Sequence, residues 1–167
     1  MNTTPRIYVG TYGKYNDGSI KGAWLDLEDY NDSDGFYEAC RELHADEADP
    51  EFMFQDWEGV PGGLVSESSL DDGVWEWIEL DEADRDMVAA YRVGGDEYTS
   101  TEDIRDCFQG TADSERDYAE QYADATGMLD SIPEDLRWYF DFDAFARDLF
   151  MDYIAVRHEG TLYVFSR

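Results

Sequence analysis

Carboxylates are the most abundant reactive groups in this chain, and their spacing is regular. Asp34, Glu38 and Glu42 lie four apart, and Asp46, Glu47 and Asp49 follow them. Asp72, Glu76 and Glu79 are spaced four and three, with Glu82 and Asp86 beyond; Asp113, Asp117, Glu120 and Asp124 repeat four, three, four. A pair of carboxylates can act as acid and base on a glycosidic bond, but acids this numerous make any one pair uninformative. Carboxylates also bind hard cations. Residues 30–35, YNDSDG, glance at a calcium loop, yet placing Gly35 at the loop glycine puts Tyr30 at the first ligand position and Arg41 at the last. His44 and His158 are too few and too widely separated for a zinc site by spacing. A structural role is expected for each. There is no GxGxxG and no GxxxxGK[ST] to cradle phosphate. No catalytic residue, cofactor or metal is expected.

The elements that must carry these acids follow from periodicity. RIYVGTY (6–12) alternates as a strand, Asn16-Asp17-Gly18 signals a turn, and KGAWLDL (21–27) reads as a second strand. A helix is expected at about 33–45 with Phe36, Ala39, Cys40 and Leu43 on one face, then a third strand over 51–57. GVPGG (59–63) breaks the chain. A helix over 69–80 would turn Leu70, Val74, Trp77 and Ile78 inward, with Ser69 and Asp72 as a capping-box start. Another runs from 82 to 93 and stops at Gly94-Gly95, and a third starts within 100–108. Residues 113–126 form a helix with Tyr118, Tyr122, Ala125 and Leu129 on one side; Ser131 and Pro133 open a short one through Trp138, and Asp141 caps 142–150. A hairpin over 153–165, turning at Glu159-Gly160, closes the chain. The expected class is α+β, as three small domains in a row: a mixed 1–60, a helical 61–107 and a mixed 108–167.

Composition explains why acids and aromatics are interwoven, as in ELHADEADPEFMFQDWEG (42–59). The chain has 167 residues, 41 Asp and Glu against 12 Lys and Arg, and a formal charge of −29. Such charge with few apolar residues would mean disorder, but 43% of residues are hydrophobic and 16% aromatic. A core can form, with Phe52, Met53, Phe54 and Trp57 as anchors and the acids held outside. That surface repels itself, so a partner or a solvent condition must account for it. Nucleic acid and anionic membranes are excluded as partners by sign; basic protein surfaces fit. No apolar run reaches the ~18–20 residues of a membrane span. The opening residues lead directly into strand-like sequence, so no signal peptide is expected. Cys40 and Cys107, without a CxxC, read as reduced thiols of a cytoplasmic protein.

Each acid row lies on one helix face, opposite the apolar one. Like charges four apart disfavour a helix by a few tenths of a kcal/mol per pair. A helix built for stability alone would interleave lysine, and this chain has only Lys14 and Lys21. Residues four apart rise about 6 Å along a helix, and duplex DNA carries one charge per roughly 1.7 Å of axis. Rows of carboxylates on a rigid body therefore imitate a phosphate backbone.

Three strings carry a family resemblance. GAWLDLEDYNDSDGFYEACRELHADEADPEFMFQDWEG (22–59) resembles the N-terminal region of ArdA antirestriction proteins, YNDGSIKGAW (15–24) matches the same pattern, and SIPEDLRWYFDFDAFARDL (131–149) resembles the family's "LPEDL"-type text. Residues 62–110 match mainly in helical character and charge. The resemblance implies a DNA mimic, encoded on a mobile element, that occupies the DNA-binding groove in the methyltransferase core of type I restriction–modification enzymes. It further implies an elongated, curved, acidic homodimer joined through its C-terminal part. Two rivals are an acid-surfaced protein of a high-salt organism and an acidic-site hydrolase.

Overall fold

The computed structural model describes residues 3–96 and 99–167. The chain is α+β and divides into two compact units, Met1–Arg85 and Asp86–Arg167.

In the first unit, β1 (Arg6–Thr11) is the middle strand of an antiparallel sheet, between β2 (Ala23–Asp26) and β3 (Phe52–Glu58). Ile7 and Val9 alternate with half-buried Tyr8 and are themselves fully buried, the period-two pattern of a strand with one face in the core. Tyr8 pairs with Asp56 and Val9 with Phe54, leaving Gln55 as the extra residue of a β-bulge. The helix α2 (Ser33–Leu43) buries Phe36 and Cys40. The Phe36 ring meets those of Tyr30, Tyr37, Phe54 and Trp75 at centroid distances of 5.6–6.3 Å. Burying a side chain of this size stabilises by about 1.5–3 kcal/mol. The aromatics of 52–57 thus anchor the strand from which the neighbouring acids project.

Two local departures from expectation have clear causes. The segment after β1 is a short helix, α1 (Tyr12–Asn16), because the Thr11 hydroxyl accepts from the Lys14 N–H; the expected turn follows it, with Gly18 at φ 82°. The helix α3 spans Gly73–Glu79 and does not start at 69. Ser69 instead pairs with Ser66 through its hydroxyl at 2.7 Å, closing a Val65–Leu70 bridge, and Asp72 makes no capping bond.

The helix α4 (Glu82–Gly94) runs from the first unit into the second. The second unit continues with α5 (Thr101–Cys107), β4 (Phe108–Ala112), α6 (Glu115–Thr126), a 3-10 turn (Glu134–Tyr139), α7 (Phe142–Leu149) and the hairpin β5 (Tyr153–His158) and β6 (Thr161–Ser166). Its sheet order is β4-β6-β5, antiparallel throughout. Glu159 and Gly160 both take positive φ, 47° and 89°, as a two-residue primed turn demands. Strand β4 was not expected; it fills the gap between the helix read from 100–108 and the helical pattern read from 113. Helix α6 begins at Glu115 because Ser114 caps it, accepting from the Asp117 N–H, and it buries Tyr118, Ala119 and Ala123, while Ala125 is exposed. Ala112, Tyr118, Leu162 and Val164 form a core cluster, flanked by Leu149, Phe150 and Tyr153.

Candidate partner-binding surface

The first acid row is built by α2. Asp32 caps the helix by accepting from the Gly35 N–H at 2.9 Å. With Phe36 and Cys40 turned inward, Asp34, Glu38 and Glu42 are left exposed. The residues beyond divide by role. Asp49 is exposed. Asp46 accepts from Lys14 Nζ at 2.8 Å, and this bond holds its carboxyl below the usual range. Glu47 is half-buried and accepts from the Thr11 hydroxyl at 3.0 Å. Lys14 also reaches His44 Nδ1 at 2.7 Å, while His44 Nε2 contacts the Val9 carbonyl at 3.0 Å. His44 is buried and belongs to this scaffold, as expected.

The second row begins where α2 and α3 meet. Ser33 Oγ donates to Asp72 Oδ1 at 2.6 Å and accepts from Trp75 Nε1 at 2.9 Å. Asp34 on α2 and Asp72 before α3 are therefore held near one joint. Asp72, Glu76, Glu79 and Glu82 are exposed. Glu82 lies in the first turn of α4, where a carboxylate opposes the positive end of the helix dipole.

In the second unit, Asp113 and Asp124 are exposed, but Asp113 precedes α6. Asp117 is a capping residue: its carboxylate accepts from the Asp113 N–H at 3.0 Å, and its own N–H donates to Ser114 Oγ at 3.1 Å. Glu120 pairs with Arg116 at 3.0 Å, and Arg116 also bridges to Asp143. Eleven of the fifteen acids expected at a partner surface are exposed; Glu47, Asp86, Asp117 and Glu120 are the half-buried ones, and the bonds to Glu47, Asp117 and Glu120 tie them to the scaffold. Of the exposed ones, Asp34, Glu38, Glu42, Glu76, Glu79, Glu82 and Asp124 stand on helices whose packed faces cannot rotate away, while Asp46, Asp49, Asp72 and Asp113 lie in the segments flanking them.

Sequence spacing kept the histidines away from any ligand set, but folding brings His158 beside Asp86. Asp86, His158 and Glu159 each offer one donor atom within 4.8 Å of the others. This is three donors, where a structural zinc site takes four. Burial, then the Asp86 and Glu159 carboxylates, raise the neighbouring Tyr163 hydroxyl above its ordinary value. The aromatics Trp138 and Tyr139, 91% and 84% accessible, end the 3-10 turn where a short helix through Trp138 was expected.

A model of the antirestriction protein (ArdA) family matches residues 7–163. The chain belongs to the ArdA family. ArdA proteins are antirestriction proteins and not enzymes, so the function is antirestriction and the acidic-site hydrolase is set aside. The ArdA match also runs through 62–110, where the resemblance of strings was loosest. No curated protein matches the chain. Among the described residues, no helix of this ArdA chain is long and apolar enough to cross a membrane.

Proposed function

We propose that this ArdA chain is a DNA mimic that occupies the DNA-binding groove of a type I restriction–modification enzyme, blocking cleavage and, with it, modification. The observation that carries the reading is the placement of exposed carboxylates on rigid helix faces in both units, on Asp34, Glu38 and Glu42 of α2, Glu76 and Glu79 of α3, and Asp124 of α6. Like-charge rows weaken their own helices, so their presence is explained by a basic partner. Preorganisation matters because ordering loose side chains on docking costs about 0.5–1.5 kcal/mol each. The setting that fits is cytoplasmic, on a mobile element entering a restricting host.

The same reading includes a three-part organisation, 1–60, 61–107 and 108–167, and a homodimer through the C-terminal part. The exposed Leu136, Trp138 and Tyr139 support that dimer, since aromatic residues are enriched at interface cores. Substituting Trp138→Ser is expected to shift the chain towards monomer in sedimentation.

The test is ATP-dependent cleavage of unmodified plasmid by a purified type I enzyme. Increasing amounts of this protein are expected to protect the plasmid. Cleavage that proceeds unchanged at saturating protein would contradict the proposal.

A further inference from the structure

A recess of about 340 Å3 opens in the first unit, lined by Tyr15, Ile20, Met53, Gln55, Trp57 and Glu67. Its chemistry differs from the acid rows. Ile20 is 71% and Tyr15 51% exposed, so its rim presents apolar side chains to solvent. The β-bulge sets the Gln55 amide over Gly10, where a Cβ would meet it at 2.6 Å. Gln55 Nε2 is buried and lacks a hydrogen-bond partner among the described residues. Glu67 supplies the charge of the lining and is fixed twice. Its carbonyl accepts from the Phe54 N–H at 2.7 Å, and its Oε1 accepts from the Tyr12 hydroxyl at 3.0 Å.

We propose that this recess is a receptor for an arginine side chain presented by the basic partner. The inference rests on the reading of that partner as a basic protein groove. An anionic group is refused by Glu67 and by the −29 charge of the chain. A purely apolar side chain would strip water from Glu67 and return no donor to it. Of the two cationic side chains, lysine carries a compact, strongly hydrated ammonium, whereas arginine carries a flat, weakly hydrated guanidinium that lies against aromatic rings and offers five donors. The guanidinium would meet the Glu67 carboxylate while its stem covers Ile20 and Met53. The volume sits at the low end of the roughly 300–1,000 Å3 range of ligand pockets, which suits one side chain.

The test is an NMR titration of the full chain with N-acetyl-arginine methylamide, against the lysine and leucine equivalents, following the Trp57 indole N–H and the Ile20 and Met53 methyls. The arginine probe is expected to give saturable shifts at these signals, with roughly two- to fivefold preference over leucine, the scale of a cation over an exposed aromatic face, and tighter binding than lysine. Glu67→Gln is expected to remove that preference, and Ile20→Ala, at an exposed position, to weaken binding with the spectrum otherwise intact. Equal response to lysine, a stronger response to leucine, or shifts confined to the α2 and α6 acids would overturn the proposal. The titration needs no restriction enzyme. A silent recess in a protein that still protects plasmid contradicts the receptor alone, and a responsive recess in one that does not protect contradicts the mimic reading alone.

Discussion

Ser33 and Asp72 are joined by a 2.6 Å hydrogen bond across 39 residues of sequence, and the same Ser33 oxygen receives the Trp75 indole N–H. One hydroxyl thus fixes the start of an acidic helix, the acid ahead of the next, and an aromatic that packs on Phe36. Replacing it with alanine leaves the indole donor half-buried without a partner. Ser33→Ala is expected to lower unfolding free energy by about 1–3 kcal/mol in urea titration. An unchanged midpoint would show that the joint contributes nothing to the scaffold.

Gly94 closes α4, and a Cβ there would fall within contact distance of both Val156 methyls. Alanine is favoured over glycine in a helix by about 1 kcal/mol, whereas forcing an extra methyl into a packed site costs about 1–3 kcal/mol. Packing is the larger effect, because Val156 is buried. Gly94→Ala is therefore expected to lower the melting temperature; a rise would mean that helix propensity dominates.

Burial pushes the Cys40 thiol from 9.0 up to about 12, with Arg41 opposing the shift. The folded state favours the neutral thiol. Its contribution is complete below the unfolded value near 9 and is lost as pH rises towards about 12. Cys40→Ala should flatten the fall in stability across that alkaline window. At neutral pH, a thiol reagent should modify half-buried Cys107 before Cys40, and prior labelling of Cys40 would contradict the packing described.

The acid row of α2 makes stability and function move in opposite directions. Changing Glu38→Gln and Glu42→Gln together relieves like-charge pairs worth a few tenths of a kcal/mol each and keeps Asp34 in the first turn of α2, so the melting temperature should rise slightly while protection of plasmid weakens. Each substitution alone should have a small effect, since exposed ion pairs contribute about 0–1 kcal/mol. Asp117→Asn is the contrasting variant, expected to cost stability because Asp117 accepts the Asp113 N–H. Loss of all protection from one exposed acid would favour a single hot spot over summed charge.

The strands of the first sheet, α2, α4 and the closing hairpin were legible because apolar period and turn residues agree there. Ile7 and Val9 alternate as buried strand residues, and Glu159-Gly160 makes the primed turn its sequence signals. The start of α3 was not, because Ser69 has two competing uses and the Ser66 hydroxyl, not a helix N–H, satisfies it. Strand β4 was hidden because FQGTA, with its glycine at φ 142°, pairs with β6 fifty or more residues away. Among the acids, spacing showed which share a helix face. It did not separate Glu47 and Asp117, which serve the scaffold, from Glu38 and Asp124, since that depends on Thr11 and Ser114 bonds made by folding.

The central claim is that this protein and DNA occupy the same groove. The direct measurement is equilibrium competition on a type I methyltransferase core carrying fluorescent target duplex, read by anisotropy and by size-exclusion chromatography. The account predicts that this protein displaces the duplex, that no complex contains both, and that its affinity falls as salt rises. A stable ternary complex of core, duplex and this protein would contradict it.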